Sequence, residues 1–254
     1  MTFAITTLAD DPSLRARIGD FEDDSFPAFL NEEPTWLETR DDILTSFASM
    51  HYFVRDTEAN KLAGLCINVP FAWTGEVDNL PGYNELLRRC LAERSLGLAP
   101  TALAGILGAV APEYQSRGVS RLFFQAALRG LVAGGMQHYL SPVRPSRKQL
   151  YPNFSIEEFL SWRTADGELI DPWLASFVRG GSKMLGIAHA AITMSAPCTQ
   201  WTQWTGVDFP VSGSYVIPGG HRLLEVDVRS AVGQYAEDHV WFDISLPSKE
   251  HKRS

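Results

Sequence analysis

The spacing of apolar side chains changes at residue 118. Before it, residues 102–110 (Ala-Leu-Ala-Gly-Ile-Leu-Gly-Ala-Val) form an uncharged run that stops ahead of Pro112, which predicts a buried strand. After it, Val119, Leu122, Phe123, Ala126, Ala127, Gly130 and Leu131 recur at helical spacing, while Arg121, Gln125 and Arg129 fall on another face. This pattern predicts an amphipathic helix that begins near Gly118 and stops at Gly134-Gly135. Elsewhere, alternation over 3–8 predicts a strand, and 12–49 reads as two helical stretches interrupted by Pro27 and Pro34. Apolar runs at 52–56 and 62–71 flank a polar turn and predict a hairpin. A helix is expected over 83–93, a strand over 138–144 and a helix over 171–180 led by Pro172. Strands over 216–228 and 240–244 close the pattern.

The junction between strand and helix suits a particular ligand. The first N–H groups of a helix lack intrahelical acceptors and lie at the positive end of its dipole, so a pyrophosphate can accept several hydrogen bonds there. Gly118 at that point permits unusual dihedrals and a close approach of the backbone, and Arg117 and Arg121 can add charge.

Val110-x-Pro112-x-x-Gln115-x-x-Gly118-x-Ser120 resembles the acetyl-CoA-binding motif of the GNAT (Gcn5-related N-acetyltransferase) superfamily. Ser116 stands where that family often has Gly, and Ser120 replaces a final Gly or Ala. The resemblance implies an α/β (α+β) fold with a mixed, mostly antiparallel sheet flanked by helices, its motif strand and the next strand splayed apart. It also implies that Ala109 and Val110 pair with the pantetheine arm, and that Gln115, Ser116, Arg117, Gly118, Val119, Ser120 and Arg121 hold the pyrophosphate. Acetyl-CoA or another acyl-CoA would be the acyl donor. The expected function is an acyltransferase, an N-acetyltransferase first, in which a small-molecule amine attacks the thioester directly. Malonyl decarboxylation, carrier-protein acyl transfer and a non-catalytic acyl-CoA-binding module are the alternatives.

Composition narrows this reading. The 254 residues, 45% hydrophobic, are ample for one elaborated domain over 1–246, followed by a polar tail over 247–254 expected to be flexible. A net charge of −8 disfavours nucleic-acid binding. The expected setting is cytoplasmic and away from membranes, with a homodimer left open. Cys66, Cys90 and Cys198 are widely spaced, and no His, Asp or Glu cluster has metal-ligand spacing, so no metal is expected.

The catalytic groups are harder to place. Residues 102–110 carry no ionisable side chain, so a base must come from elsewhere; Glu76, Asp78, His189 and Glu237 are each eligible and spacing distinguishes none of them. Glu113 is expected at the surface. The family's Asn-x-x-Ala-x-x-x-Tyr pattern is missing, and Pro142-Val-Arg-Pro-Ser-Arg-Lys148-Gln-Leu-Tyr151 stands in its place. Tyr151 is the candidate acid, set against a packing role for its ring. Arg144, Arg147 and Lys148 read either as partners of CoA phosphates or as a solvated cluster. The aromatic-rich second half includes Trp201-Thr-Gln-Trp204-Thr-Gly206, a candidate lid or pocket edge, and His189 in an apolar run reads first as a core residue.

Overall fold

The computed structural model describes residues 2–244, so the tail expected over 247–254 lies outside the described residues. The elements run β1 (Phe3–Thr7), α1 (Ile18–Ser25), α2 (Ala28–Asn31), α3 (Pro34–Ser46), β2 (Tyr52–Asp56), β3 (Lys61–Phe71), α4 (Tyr83–Ser95), β4 (Ala102–Val110), α5 (Val119–Ala133), β5 (His138–Val143), α6 (Ile156–Ser161), α7 (Pro172–Arg179), β6 (Lys183–Pro197), α8 (Cys198–Thr205), β7 (Gly213–Tyr215), β8 (Leu224–Asp227) and β9 (Val232–Asp243).

Nine strands form one sheet in the order β1-β2-β3-β4-β5-β9-β8-β7, with β6 on the other side of β9. The β4–β5 ladder is parallel and the others are antiparallel. This is the mixed, mostly antiparallel sheet flanked by helices that the resemblance implied.

Local chemistry sets the helix starts. Pro34 and Pro172 occupy first-turn positions, where no N–H is needed. Glu33 caps α3 by accepting from the N–H groups of Thr35 (2.9 Å) and Trp36 (2.7 Å), and Asp171 caps α7 in the same way. The apolar stripe of α5 buries Val119, Phe123, Ala126, Ala127 and Leu131 against one sheet face, each large side chain contributing about 2 kcal/mol. Helices α1, α3 and α4 cover the opposite face. A third cluster around Trp201 and Tyr235 closes the far end.

Two expectations are corrected. Of the strand read over 216–228 only β8 is extended; β7 ends before it at Tyr215, and Pro218-Gly219-Gly220, where Gly219 takes φ +77°, lies in the connection. The segment read as a lid is α8, whose Trp201 is fully buried and donates its indole N–H to the Gly233 carbonyl at 3.0 Å. The long strand β6 was not foreseen. Its ladder with β9 is interrupted between Met184 and Gly186 and between Ala188 and Ile192, and Ala190 has φ +47°, so its side chains do not alternate cleanly.

Candidate functional site

Strands β4 and β5 pair only from Ala102–His138 to Ala104–Leu140 and then part. At the fork, the Ser141 hydroxyl donates to the Gly105 carbonyl at 2.8 Å. Past it, the β5-facing edge of β4 has no strand beside it, and Gly108 is exposed in mid-sheet. A bulge adds to this. Ile67 pairs with Leu107 but Asn68 pairs with Gly105, so Ile106 is the extra residue and the strand bends there.

The chain then turns tightly into α5. Ser116 (φ +61°) and Gly118 (φ +78°) both take left-handed backbone conformations, which explains a preference for glycine at either position. Gln115, Ser116, Arg117 and Gly118 are exposed and Val119 is buried, while Gly118 caps α5 with no side chain bonded to the first-turn N–H groups. A Cβ on Gly118 would meet no atom within 4 Å, so the backbone conformation is what requires glycine there. Two contacts fix the turn to the sheet. The Tyr114 hydroxyl donates to Asp56 Oδ2 at 3.2 Å. Gly64 lies beneath α5, where a Cβ would come within 2.8 Å of both Val119 and the Ala109 carbonyl.

The fork opens into a cavity of about 130 Å³, room for roughly ten water molecules. Its lining comes from both faces of the sheet: Glu22, Phe26, Glu33, Trp36 and Tyr83 on one side, Phe124, Trp173 and Phe177 on the other, with Gly105–Gly108 and Ser141–Arg144 between them. Glu22 is 8% exposed and accepts from the Trp36 indole at 2.8 Å; burial pushes its carboxyl above the usual range. Burial, reinforced by Glu33 and Glu22, likewise pushes the Tyr83 phenol upward.

Behind the cavity lies a buried polar cluster. Arg144 forks onto Glu237, Nε to Oε1 at 2.7 Å and Nη2 to Oε2 at 3.0 Å, the bidentate geometry of a strong ion pair. Glu237 is completely buried and also accepts from the Tyr235 hydroxyl at 2.7 Å. Burial alone would raise its pKa, but the guanidinium holds it well below the usual carboxylate range. His239 Nε2 lies 3.0 Å from Glu237 Oε1, and His239 lines the cavity.

This arrangement corrects several expectations. Arg144 and Lys148 neither reach the α5 loop nor form a solvated cluster: Arg144 is held by Glu237, and buried Lys148 donates to the carbonyls of Tyr151 and His221. The ring of Tyr151 packs against Trp162 and Phe159 and is not among the residues lining the cavity. His189 is exposed, near Glu157 and Asp238, rather than a core residue. Glu76 and Asp78 lie exposed outside the cavity. Glu113 is at the surface as expected, 3.7 Å from Lys61. Sequence reasoning missed Glu22 and His239 altogether.

No protein-family model matches the chain. It is 25% identical to arginine N-acetyltransferase avaD of Aspergillus versicolor over 271 residues, covering 94% of this chain and 92% of that protein. Among solved structures it resembles the loading GNATL domain of CurA from Lyngbya majuscula, with TM-score 0.51, 14% identity, 73% of this chain and 88% of that one. It also resembles the GNAT-like decarboxylase GphF, with TM-score 0.52, 14% identity, 96% of this chain and 100% of that one. The chain has the GNAT fold. Within this GNAT fold, the forked strands, the left-handed turn and the start of α5 meet at one place. Among the described residues no helix is long and apolar enough to cross a membrane, and no group of His, Cys, Asp or Glu could hold a metal ion.

Proposed function

We propose that this protein is an acyl-CoA-dependent N-acyltransferase acting on a small cationic amine. The observation that carries the reading is the continuity of three parts: an exposed turn into a helix start with no side-chain cap, an unpaired strand edge, and a cavity with buried carboxylates in its wall. The residues present fit a CoA thioester. The N–H groups of Ser116 and of Gly118 to Arg121 take the pyrophosphate, the Arg117 N–H being held by the Tyr114 carbonyl at 3.3 Å, and the edge of β4 at Ala109 and Val110 takes the amide groups of the pantetheine arm. In this reading the backbone at the Ile106 bulge polarises the thioester carbonyl.

The acceptor approaches from the other face, where Glu22 and Glu33 supply negative charge and Phe26, Trp36 and Tyr83 supply aromatic surface, a combination that favours an ammonium or guanidinium group. The relative named as an arginine N-acetyltransferase supports the same acceptor class. The amine nitrogen bonds to the acyl carbon as the carbon–sulfur bond breaks, and CoA leaves as the thiol. Tyr151 remains a proposal for the acid, and reaching the sulfur would require its ring to leave its packing against Trp162.

Calorimetric titration with CoA and acetyl-CoA, followed by thiol release in the presence of arginine and arylalkylamines, tests the reading. Micromolar binding and amine-dependent release are the expected result. Binding without release would leave an acyl-CoA-binding module, and absence of binding would overturn the proposal.

A further inference from the structure

His239 and Glu237 are two residues apart on β9, so their side chains leave the same face of the strand. Glu237 is an acceptor at every one of its contacts. It faces the Arg144 guanidinium from β5, the Tyr235 hydroxyl from its own strand and His239 Nε2. An ionised carboxylate has no proton to donate, so the 3.0 Å contact requires the hydrogen to lie on His239 Nε2. The other ring nitrogen, Nδ1, then carries a free lone pair. It is buried and has no hydrogen-bond partner among the described residues, while the residue lines the cavity at the strand fork. A lone pair held this way, out of water and oriented by a carboxylate, is the arrangement of a proton acceptor.

We infer that His239 accepts the proton of the acceptor amine, with Glu237 as the residue that positions it. The inference rests on the acyl-transfer reading. An ammonium entering the cavity gives one proton to His239 Nδ1 and becomes a neutral nucleophile. Its nitrogen bonds to the acyl carbon, the carbon–sulfur bond breaks, and the second amine proton goes to the departing thiolate. The proton on His239 returns to solvent. Protons balance with one amide, one thiol and one released H⁺, and no further reactant is needed.

Charged and titratable groups from several elements face the imidazole. Glu237 lies on one side, Arg144 and His221 stand behind Glu237, and the Tyr83 ring on α4 is 6.2 Å away, centroid to centroid. His221 is itself buried and kept neutral, first by desolvation and then by Arg144, so it does not compete for the proton. Arg144 is charged throughout the working range. Removing the Glu237 carboxylate therefore takes away the acceptor that orients the His239 ring without touching the cavity wall.

The test is steady-state transfer from acetyl-CoA to L-arginine between about pH 6 and about pH 9, with CoA affinity and circular dichroism measured on each variant. His239→Gln should lower kcat about 10²- to 10⁴-fold, abolish the rise of kcat with pH and leave CoA affinity unchanged. Glu237→Gln should lower kcat with CoA affinity unchanged, since the ring loses the acceptor that orients it. In His239→Ala, added imidazole should restore part of the activity, which no structural role would produce, so this variant decides the matter if Glu237→Gln fails to fold. A His239→Gln enzyme with wild-type kcat and pH profile would overturn the assignment alone. A wild-type protein that binds CoA yet transfers to no amine would overturn the transfer reading and this assignment together.

Discussion

The Ser141 hydroxyl and the Gly105 carbonyl, 2.8 Å apart, form the last bridge between β4 and β5 before the strands separate. A ladder would ordinarily continue, but the next residues of β5 pair with β9 instead. The side chain of Ser141 thus sets where the fork begins. Ser141→Ala should lower stability by about 1 kcal/mol, read as a drop of a few degrees in the thermal midpoint, and should weaken acetyl-CoA binding more than binding of desulfo fragments that lack the acyl end.

At the α5 turn, Gly118→Trp should abolish CoA binding with the helix content largely kept, because the ring would occupy space that a Cβ leaves free of protein atoms. Gly118→Ala should cost about 1–2 kcal/mol for a left-handed alanine and weaken CoA binding less. Ser116→Gly is the control. It relieves the φ +61° conformation while keeping every N–H, so it should raise the thermal midpoint and retain affinity. Unchanged affinity in Gly118→Trp, by calorimetry, would remove the loop from the binding site.

Glu22→Gln keeps the hydrogen bond to the Trp36 indole but removes one negative charge from the cavity wall. The KM for a cationic amine should rise roughly tenfold, the worth of one partly desolvated charge contact, while the KM for acetyl-CoA stays put. Equal changes in both would mean that Glu22 acts through the fold.

His51 supplies a pH dependence of stability. Its Nδ1 accepts from the Asn68 N–H at 3.3 Å, its Nε2 faces the Ile43 carbonyl at 3.2 Å, and burial pushes its pKa down from 6.5 to about 4. Above pH 6.5 the ring is neutral whether the chain is folded or unfolded, and nothing is lost. Below it the unfolded chain binds a proton that the folded one refuses, so stability should fall between about pH 6.5 and pH 4 by up to roughly 3 kcal/mol. Thermal melts across this window should show the fall, and His51→Gln should flatten it.

The chain announces its strand, turn and helix at 102–133 more clearly than its polar cluster. Residues 102–110 and the helix start at Gly118 were readable because one strand, one proline and one change of period follow each other in sequence, and the structure places β4 and α5 at those bounds. The His239 and Glu237 pair was not readable, for a specific reason. With the last strand expected over 240–244, both residues fell in turn material, whereas β9 starts at Val232 and carries Tyr235, Glu237 and His239 as a polar stripe of period two. That stripe was the available signal. Its partner Arg144 lies 93 residues away in sequence, and no local pattern links the two. Glu22 sits in a short acidic helix where most carboxylates face solvent, and only the tertiary packing against Trp36 separates it from its neighbours.

Under the proposed function, a cavity walled from both faces of the sheet lets two reactants approach from opposite sides. Neither must depart before the other arrives, so turnover under the proposed function runs through a ternary complex, and a dead-end CoA analogue should compete with acyl-CoA but not with the amine. One molecule could then fill both halves, a CoA-like arm joined to a guanidinium by a tether through the fork. The width of the fork beyond the Ser141–Gly105 hydrogen bond would set how slender that tether has to be.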